Sequence, residues 1–190
     1  MITLYFLEGQ RIGLRPLRKS DVTGNYGNWL NDSIVCQYNG HYRWPYSEKK
    51  LENYVDITDG NPSVLVLAIE EKSTQTHIGN ISLQSIDFVS QCAELAFLIG
   101  ERTYWRKGVG KEAGGLLIAH GFQEMNLRRL YLGTSSNNVG MQRLASSLGF
   151  KKEGVRREAM YKHGDYWDIV EYGLLKNEWP NLLGTYRIRP

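Results

Sequence analysis

The chain is predicted to fold as an α/β domain in which helices pack on one β-sheet. The main observation is the order of its periodic segments, which runs β, α, α, β, β, β, α, β, α, β, β. The second is size, because 190 residues with 42% hydrophobic content can bury one core well but not two. We therefore expect a single domain over residues 1–190, with a core from about 11 to 179 and a C-terminal tail over 180–190.

The first half is predicted to place two helices between its first two strands. Charged and apolar residues alternate from Arg11 to Leu17, which is typical of a strand with one solvent-exposed face. The first helix is predicted over Asp21–Leu30, and the second over Ser47–Ile57 with Ser47 as its N-cap. Three strand-like runs follow, over Val64–Ile69, His77–Leu83 and Ala93–Ile99.

The second half is predicted to add two helices and three strands. Gly114 and Gly115 lie inside the first of these helices and indicate that another backbone packs closely there. A short strand over Leu130–Thr134 precedes a helix that Asn138 can cap and Gly149 can end. The last two strands, Gly154–Tyr161 and Trp167–Leu175, flank a hairpin turn in which Gly164 can adopt a positive φ.

The most informative segment runs from Tyr104 to Ala113, where an apolar strand turns into a helix. Two glycines, Gly108 and Gly110, allow close approach to the backbone at this point. The exposed amides and positive dipole of a helix N-terminus favour anions, and three cations lie beside them. These cations are Arg106, Lys107 and Lys111. The segment therefore predicts a site for a phosphate-bearing ligand.

Two better-known phosphate motifs fit this segment poorly. A Walker loop needs Ser or Thr after its lysine, but Lys111 is followed by Glu112. The dinucleotide fingerprint matches Gly108, Gly110 and Ala113, but the next strand ends in Thr134 without the acid that binds ribose. An ordinary glycine-rich turn before a surface helix remains an alternative on these residues alone.

Composition restricts the class of protein further. The 23 basic and 20 acidic residues give a net charge of only +3, and the basic residues form no stripe, so we expect no nucleic-acid partner. Cys36 and Cys92 lie far apart outside any metal-ligand spacing, which favours a reducing compartment and no metal. No apolar run reaches 18 residues, so we expect a cytoplasmic protein without a membrane partner.

Four stretches in order resemble the GNAT superfamily of N-acetyltransferases, in the branch that acetylates ribosomal-protein N-termini, spermidine and aminosugars. The resemblance covers about Arg11 to Trp179 and implies a mixed, mostly antiparallel sheet flanked by helices. Its first stretch is Arg11–Leu17 and its second is Ala93-Glu94-Leu95. The others are Arg106-Lys107-Gly108-Val109-Gly110 and the pair of Asn138 with Leu148-Gly149-Phe150, and the closing Gly164–Asp168 supports them.

The resemblance implies that the phosphate-bearing ligand is acetyl-CoA. The pyrophosphate would lie on Arg106, Lys107, Gly108, Val109, Gly110 and Lys111, and pantetheine would pair with the strand edge at Phe97, Leu98 and Ile99. Asn138 matches the asparagine that holds pantetheine in the family, although a helix cap explains it equally well. The family signature begins with Gln or Arg, whereas this chain has Trp105 at that position.

The chemistry requires a base for the amine and a proton for the departing thiol. Glu94 is the first candidate base, because an apolar strand would raise its pKa, and a structural carboxylate is the alternative. Many relatives carry a tyrosine at the position of Ala145 as the acid. Tyr161, Ser146 and Ser135 are the substitutes that could donate a proton.

The acceptor is predicted to be a primary amine on a protein N-terminus or an aminosugar. The aromatic loop over residues 38–46, between the first two helices, would contact the acceptor through Tyr38, Tyr42 and Trp44, or its rings would only pack under the loop. Arg43, Lys49 and Lys50 outnumber Glu48 in this region, which disfavours a polyamine and suits an acceptor with phosphate or acidic groups. A non-catalytic acyl-CoA sensor remains an alternative to an enzyme. Either kind of protein could form a homodimer.

Overall fold

A computed structural model describes residues 4–179 and confirms the α/β fold, with one eight-stranded sheet. Its strands are β1 (Leu7–Glu8), β2 (Ile12–Pro16), β3 (Leu65–Glu71), β4 (Thr76–Asp87), β5 (Cys92–Ile99), β6 (Arg129–Ser135), β7 (Lys151–Lys162) and β8 (Asp165–Leu175). Its helices are α1 (Lys19–Asp21), α2 (Gly27–Leu30), α3 (Glu48–Thr58), α4 (Val109–Gln123) and α5 (Val139–Ser147). The predicted tail over 180–190 lies outside the described residues.

The sheet is mixed and mostly antiparallel, in the order β1-β2-β3-β4-β5-β6-β8-β7. Within residues 4–179, β5 with β6 is the parallel pair, and the other neighbouring strands run antiparallel. The crossover between β5 and β6 contains α4, as a parallel connection requires. This crossover places the glycine loop, residues 106–111, beside the centre of the sheet.

The observed elements differ from the predicted ones in two places. The pairing of Leu7 with Leu14 adds β1 ahead of the predicted core. The helix predicted over Asp21–Leu30 is instead α1, a π-helical turn over Val22–Tyr26, and α2. Gly24 has φ −89° and ψ −143°, which breaks the helical path. Glycine adopts such angles readily, so the sequence signal for one amphipathic helix was outweighed by local backbone geometry.

Two apolar cores lie on opposite faces of the sheet. The larger core joins α4 and α5 to the sheet and includes Leu95 of β5. The smaller core joins the π-helical turn, α2 and α3 to the other face, and Leu98 of β5 packs against it. Because side chains alternate along a strand, β5 serves both cores.

Gly114 explains how α4 approaches the sheet. A Cβ at Gly114 would lie 2.7 Å from Leu148 Cδ1 and 3.0 Å from Phe97 Cζ. The close neighbours of Gly114 are therefore side chains, and the expectation of a close backbone is wrong at this glycine. The predicted turn of the last hairpin is confirmed, with φ 85° at Gly164 and φ 54° at His163.

Candidate active site

The centre of the sheet opens between β5 and β6. The two strands pair only where Cys92, Ala93 and Glu94 face Arg129, Leu130 and Tyr131. Beyond these residues β5 continues along β4 to Ile99, and β6 continues along β8 to Ser135. The facing edges of the two strands therefore separate after Glu94 and leave backbone groups without a strand partner.

The exposed edge of β5 consists of alternate residues. The carbonyl oxygen of Leu98 lies 2.3 Å from the position of a Cβ on Gly79, so the backbone of Leu98 points toward β4. Successive residues of a strand point their backbone groups to opposite sides, so Phe97 and Ile99 face the opening. Of the three residues predicted to offer this edge, Leu98 instead directs its backbone to β4.

Trp105 occupies part of this edge. Its indole Nε1 donates to the backbone carbonyl of Ile99 at 2.8 Å. The tryptophan that departs from the family signature therefore packs against the strand and satisfies one of its carbonyls. Sequence patterns gave no signal for this contact, because it depends on how the turn after β5 folds back.

The glycine loop has the backbone geometry expected of an anion site. Gly108 has φ 83° and is the N-cap of α4, and Arg106 has φ 61°. No atom lies within 4 Å of a Cβ built on Gly108, so the loop is open at this point. The side chains of Arg106, Lys107 and Lys111 are exposed beside it.

The other two loop residues attach it to the larger core. Val109 is buried at 2% exposure, and Gly110 lies close to Leu144 of α5. Two contacts that the sequence analysis missed also hold the loop. Arg11 donates from Nη1 to the Lys107 carbonyl at 2.9 Å, and Glu112 Oε1 accepts the Arg11 amide at 2.9 Å.

Asn138 caps α5, as the simpler interpretation predicted. Its Oδ1 accepts the Met141 amide at 3.0 Å. The side-chain nitrogen Nδ2 of Asn138 has no hydrogen-bond partner within the described part of the chain, and it can donate two hydrogen bonds. The proposed contact to pantetheine therefore remains compatible with the cap.

Glu94 lies where β5 and β6 begin to separate. It faces Gln84 of β4 and Tyr131 of β6 in the register, and it is half-buried. Burial raises the pKa of Glu94 and the nearby charge of Glu171 adds to this, while Arg156 opposes it. A carboxylate with a raised pKa beside an opening in a sheet can accept a proton near neutral pH.

The predicted acid candidates have no described contact with Glu94. Ala145 is fully buried, and Ser146 is exposed on α5 with its hydroxyl donating to the Gln142 carbonyl. Tyr161 is 52% exposed near the tip of the β7–β8 hairpin, where its ring contacts Tyr166. Ser135 is buried, and its hydroxyl accepts the amide of Asn137.

A cavity of about 980 Å³ lies on the face of the sheet opposite α4. It lies between α3 and the strands β3, β4 and β5. Its inner wall includes Gln84, which faces Glu94 from β4, and Ala96, which lies two residues beyond Glu94 on β5. Its remaining polar lining comes mainly from three tyrosines, two lysines and two residues of β4. These are Tyr26, Tyr46, Tyr54, Lys49, Lys50, Asn80 and Ser82.

The aromatic loop contributes to this cavity through residues other than those predicted. His41 and Tyr46 line the cavity, and His41 Nδ1 lies 2.7 Å from the Tyr46 hydroxyl. Tyr38 contacts the ring of Trp167, and Tyr42 and Trp44 are exposed outside the lining. Substrate contact by Tyr38, Tyr42 and Trp44 therefore stays a prediction.

An opened mixed sheet, a glycine loop at a helix N-terminus and a cavity on the far face define an acyl-CoA N-acyltransferase. A family model described as "Acetyltransferase (GNAT) domain" matches residues 11–151. The chain therefore belongs to the GNAT acetyltransferase family.

Individual relatives agree with this assignment. The uncharacterized N-acetyltransferase p20 of Bacillus licheniformis is 34% identical over 197 residues, covering 94% of this chain and 99% of that protein. The spermidine N-acetyltransferase of Vibrio cholerae, solved with CoA and spermine, superposes with a TM-score of 0.80 at 22% identity, covering 88% and 97% of the two chains. The ribosomal L7/L12 alpha-N-protein acetyltransferase RimL, solved with coenzyme A, gives a TM-score of 0.80 at 17% identity, covering 88% and 95%.

Residues 4–179 include no helix with both the length and the apolar character that a membrane crossing requires.

Proposed function

We propose that this protein transfers an acetyl group from acetyl-CoA to a primary amine by direct attack, with both substrates bound together. The observation that carries this proposal is the limited pairing of β5 with β6, which ends at Glu94 and opens the sheet. The cation-bearing glycine loop follows β5 in the chain and leads into α4. The cavity lies on the face of the sheet opposite α4.

The residues present fit a coenzyme A molecule. Arg106, Lys107 and Lys111 supply exposed positive charge, and the first-turn amides of α4 lack acceptors within their own helix. The space around Gly108 is wide enough for phosphate oxygens to approach the backbone. Phe97 supplies backbone groups that can pair with amides of an extended ligand, since Trp105 already binds the Ile99 carbonyl. When bound, the coenzyme supplies the activated thioester.

Glu94 is the proposed base. A protein α-amino group has a pKa of about 7.7–8.0, so most of such an acceptor is protonated at neutral pH. The raised pKa of Glu94 makes it a better proton acceptor than an ordinary carboxylate, either directly or through one water. Glu94 is not itself among the lining residues, but it faces Gln84, which lines the cavity, and Ala96 two residues further along β5 lines it as well.

The proton for the departing thiolate demands less of the protein. A thiol of this type has a pKa near 8.5, so a weak acid or water can supply the proton. Tyr161 and Ser146 remain candidates for this role. Tyr131 is a further candidate that the sequence analysis missed, because it faces Glu94 across the last pair of the parallel ladder.

Protein N-termini and aminosugars are the proposed acceptors. RimL, which shares the fold, is a protein α-N-acetyltransferase, and the Vibrio cholerae relative is a spermidine acetyltransferase. A polyamine needs carboxylates around its charges, and no Asp or Glu is among the described residues that line the cavity. The polyamine is therefore the weaker alternative.

The decisive experiment measures acetyl-CoA consumption across peptides, aminosugars and polyamines, with Glu94→Gln as the comparison protein. We expect at least one amine to be acetylated, and we expect the variant to lose transfer while calorimetry gives an unchanged Kd for coenzyme A. Activity that survives Glu94→Gln would remove Glu94 from the mechanism.

A non-catalytic acyl-CoA sensor is the second candidate. Its support is Ala145 in place of the family's tyrosine, and Trp105 in place of the usual Gln or Arg. A sensor would bind acetyl-CoA with normal affinity and would acetylate nothing in the panel. Transfer to any amine at a rate well above the uncatalysed reaction excludes it.

A further inference from the structure

The cavity on the far face of the sheet has a charge distribution that restricts its ligand. Among the described residues that line it, the formally charged side chains are Lys49 and Lys50 of α3, and none is acidic. The acidic side chains of α3 are Glu48, Glu52 and Asp56, and none of them is among the lining residues. Asp56 is paired with Lys19 at 2.9 Å on the exposed surface. The lining therefore presents positive charge without a compensating carboxylate.

One of these lysines is held at the cavity. Lys50 Nζ lies 4.1 Å from the centre of the Tyr46 ring, and Tyr46 itself lines the cavity. A cation over an aromatic face keeps its charge while its position is restricted. Lys49 and Lys50 make no ion pair within residues 4–179. Their charges are thus available to an anion.

Asn80 of β4 supplies a second, independent observation within the cavity lining. It lines the cavity, is only 7% exposed, and uses Oδ1 to contact His77 Nε2 at 2.8 Å. Its amide nitrogen has no hydrogen-bond partner in the described structure, although the hydroxyl of Tyr26 lies near it. A buried donor without an acceptor is costly, and an oxygen-rich ligand would satisfy it.

The cavity extends along β4 from Asn80 to Gln84. Asn80 and Gln84 lie four residues apart on β4, which corresponds to about 13 Å along an extended strand. Gln84 faces Glu94 in the register. A ligand whose amine lies beside Glu94 can therefore direct an oxyanion toward Asn80, at most about 13 Å away along the sheet.

We propose that the acceptor is a small molecule whose amine is accompanied by a phosphate or carboxylate group, and that Lys49, Lys50 and Asn80 bind this anion. The inference rests on the proposed acetyl transfer and adds the chemical class of the acceptor. A volume of about 980 Å³ matches the upper range of small-molecule sites. A polyamine places positive charge at the same point and is repelled by the lysines.

The test compares acceptors that differ only in the anion. The phosphate arm pairs glucosamine 6-phosphate with glucosamine, and the carboxylate arm pairs 6-aminohexanoate with its amide. We expect a KM about tenfold lower for the charged member of at least one pair, because charge-assisted hydrogen bonds are much stronger than neutral ones. Spermidine and an alanine-starting peptide complete the panel.

Charge removal shows whether the lysines cause the preference. The double variant Lys49→Gln with Lys50→Gln should raise the KM of the charged member and so abolish the difference in KM within the pair. The matched control is Lys152→Gln with Arg157→Gln, which removes two exposed charges from β7. The control should retain the preference. In the otherwise wild-type protein, Asn80→Asp should weaken the preference because it adds negative charge.

Each outcome has a defined meaning. Equal KM values within both pairs, or a preference for spermidine, overturn the inference and leave the acetyltransferase proposal intact. Acetylation of the peptide alone overturns the small-molecule class in the same way. Absence of transfer to every amine, despite bound acetyl-CoA, overturns the proposed function and the inference together. A preference that persists in the double lysine variant assigns the anion to other residues and also contradicts the inference.

Discussion

Glu94 and Tyr131 form the last pair of the parallel ladder between β5 and β6. One residue further along each strand, the backbone edges are no longer joined. The proposed base therefore lies where the sheet opens, and its tyrosine neighbour faces it from the other strand. Glu94 also contributes to raising the pKa of Tyr131, after the effect of burial.

Replacing Glu94 by Gln should reduce kcat/KM by about 10²- to 10⁴-fold, the usual contribution of a general base. The side chain keeps its size and position, so the Kd for coenzyme A should not change. The pH profile gives a second readout. Wild-type activity should rise with pH through the raised pKa of Glu94, and the variant should lack this limb.

Two neighbours should move that limb in opposite directions. Glu171 raises the pKa of Glu94, so Glu171→Gln should shift the acidic limb of kcat/KM to lower pH. Arg156 lowers the same pKa, so Arg156→Gln should shift the limb to higher pH. Glu178→Gln, at an ion pair with Lys151, serves as the control and should leave the limb in place. Shifts of the same sign in both variants would contradict this electrostatic account.

Gly108→Ala should weaken coenzyme binding and stability together. A non-glycine residue in the left-handed region costs about 1–2 kcal/mol, and Gly108 has φ 83°. The new methyl group would also occupy the open space at the start of α4. Calorimetry and urea unfolding measure the two effects. Gly154→Ala is the control, because that glycine is equally open but has no positive φ.

The buried ion cluster should be far more important for stability than an exposed ion pair. Arg15 is 4% exposed and binds Asp21 at 2.7 Å and Glu70 at 2.6 Å. Arg15→Ala leaves both buried carboxylates without their arginine partner, which should cost about 3–5 kcal/mol. Arg129→Ala breaks the partly exposed pair with Glu153 and should cost less than about 1 kcal/mol. Urea titrations of both variants check the contrast.

The same cluster predicts how stability depends on acid. Burial by itself would raise the pKa of Asp21, but the hydrogen bond from Arg15 and the charge of His77 bring it below its usual value. A depressed pKa in the folded state stabilises the protein above the unfolded value near 3.9. This contribution should disappear as pH falls through the folded pKa. Asp21→Asn should remove that part of the acid dependence.

Lys162 should affect acceptor binding from a distance. Its buried ammonium donates to the carbonyls of Asn39 and His41, and His41 lines the cavity. Lys162→Met should therefore loosen the aromatic loop and raise the KM for the acceptor several-fold without changing the Kd for coenzyme A. Lys152→Met, exposed on the same strand, is the control. An unchanged acceptor KM in Lys162→Met would separate the loop from substrate binding.

Local sequence patterns were sufficient for most elements and for the glycine loop. The spacing of apolar residues identifies α3, α4 and α5 and seven of the eight strands, and Ser47 caps α3 through a bond from the Lys50 amide at 3.3 Å. These features depend on neighbours within a few residues, where propensity and capping act directly. β1 escaped prediction because a two-residue strand is too short to show a period.

Contacts between distant segments required the tertiary structure. Alternation along β5 places Glu94 on the face away from α4, but its proximity to Glu171 and Arg156 depends on how β6 and β8 pair. His41 and Tyr46 line the cavity instead of Tyr38, Tyr42 and Trp44, because the contacts of Lys162 and Trp167 hold the aromatic loop against the last hairpin.

By itself the sequence determined most of the order of the elements, the glycine loop at Gly108 and a carboxylate on an apolar strand. The tertiary structure decided where β5 and β6 separate, which residues surround the cavity and which charges act on Glu94. The reason is physical: hydrogen-bonded periodicity and backbone conformation are local properties, whereas burial and electrostatic fields arise from atoms brought together across the whole chain.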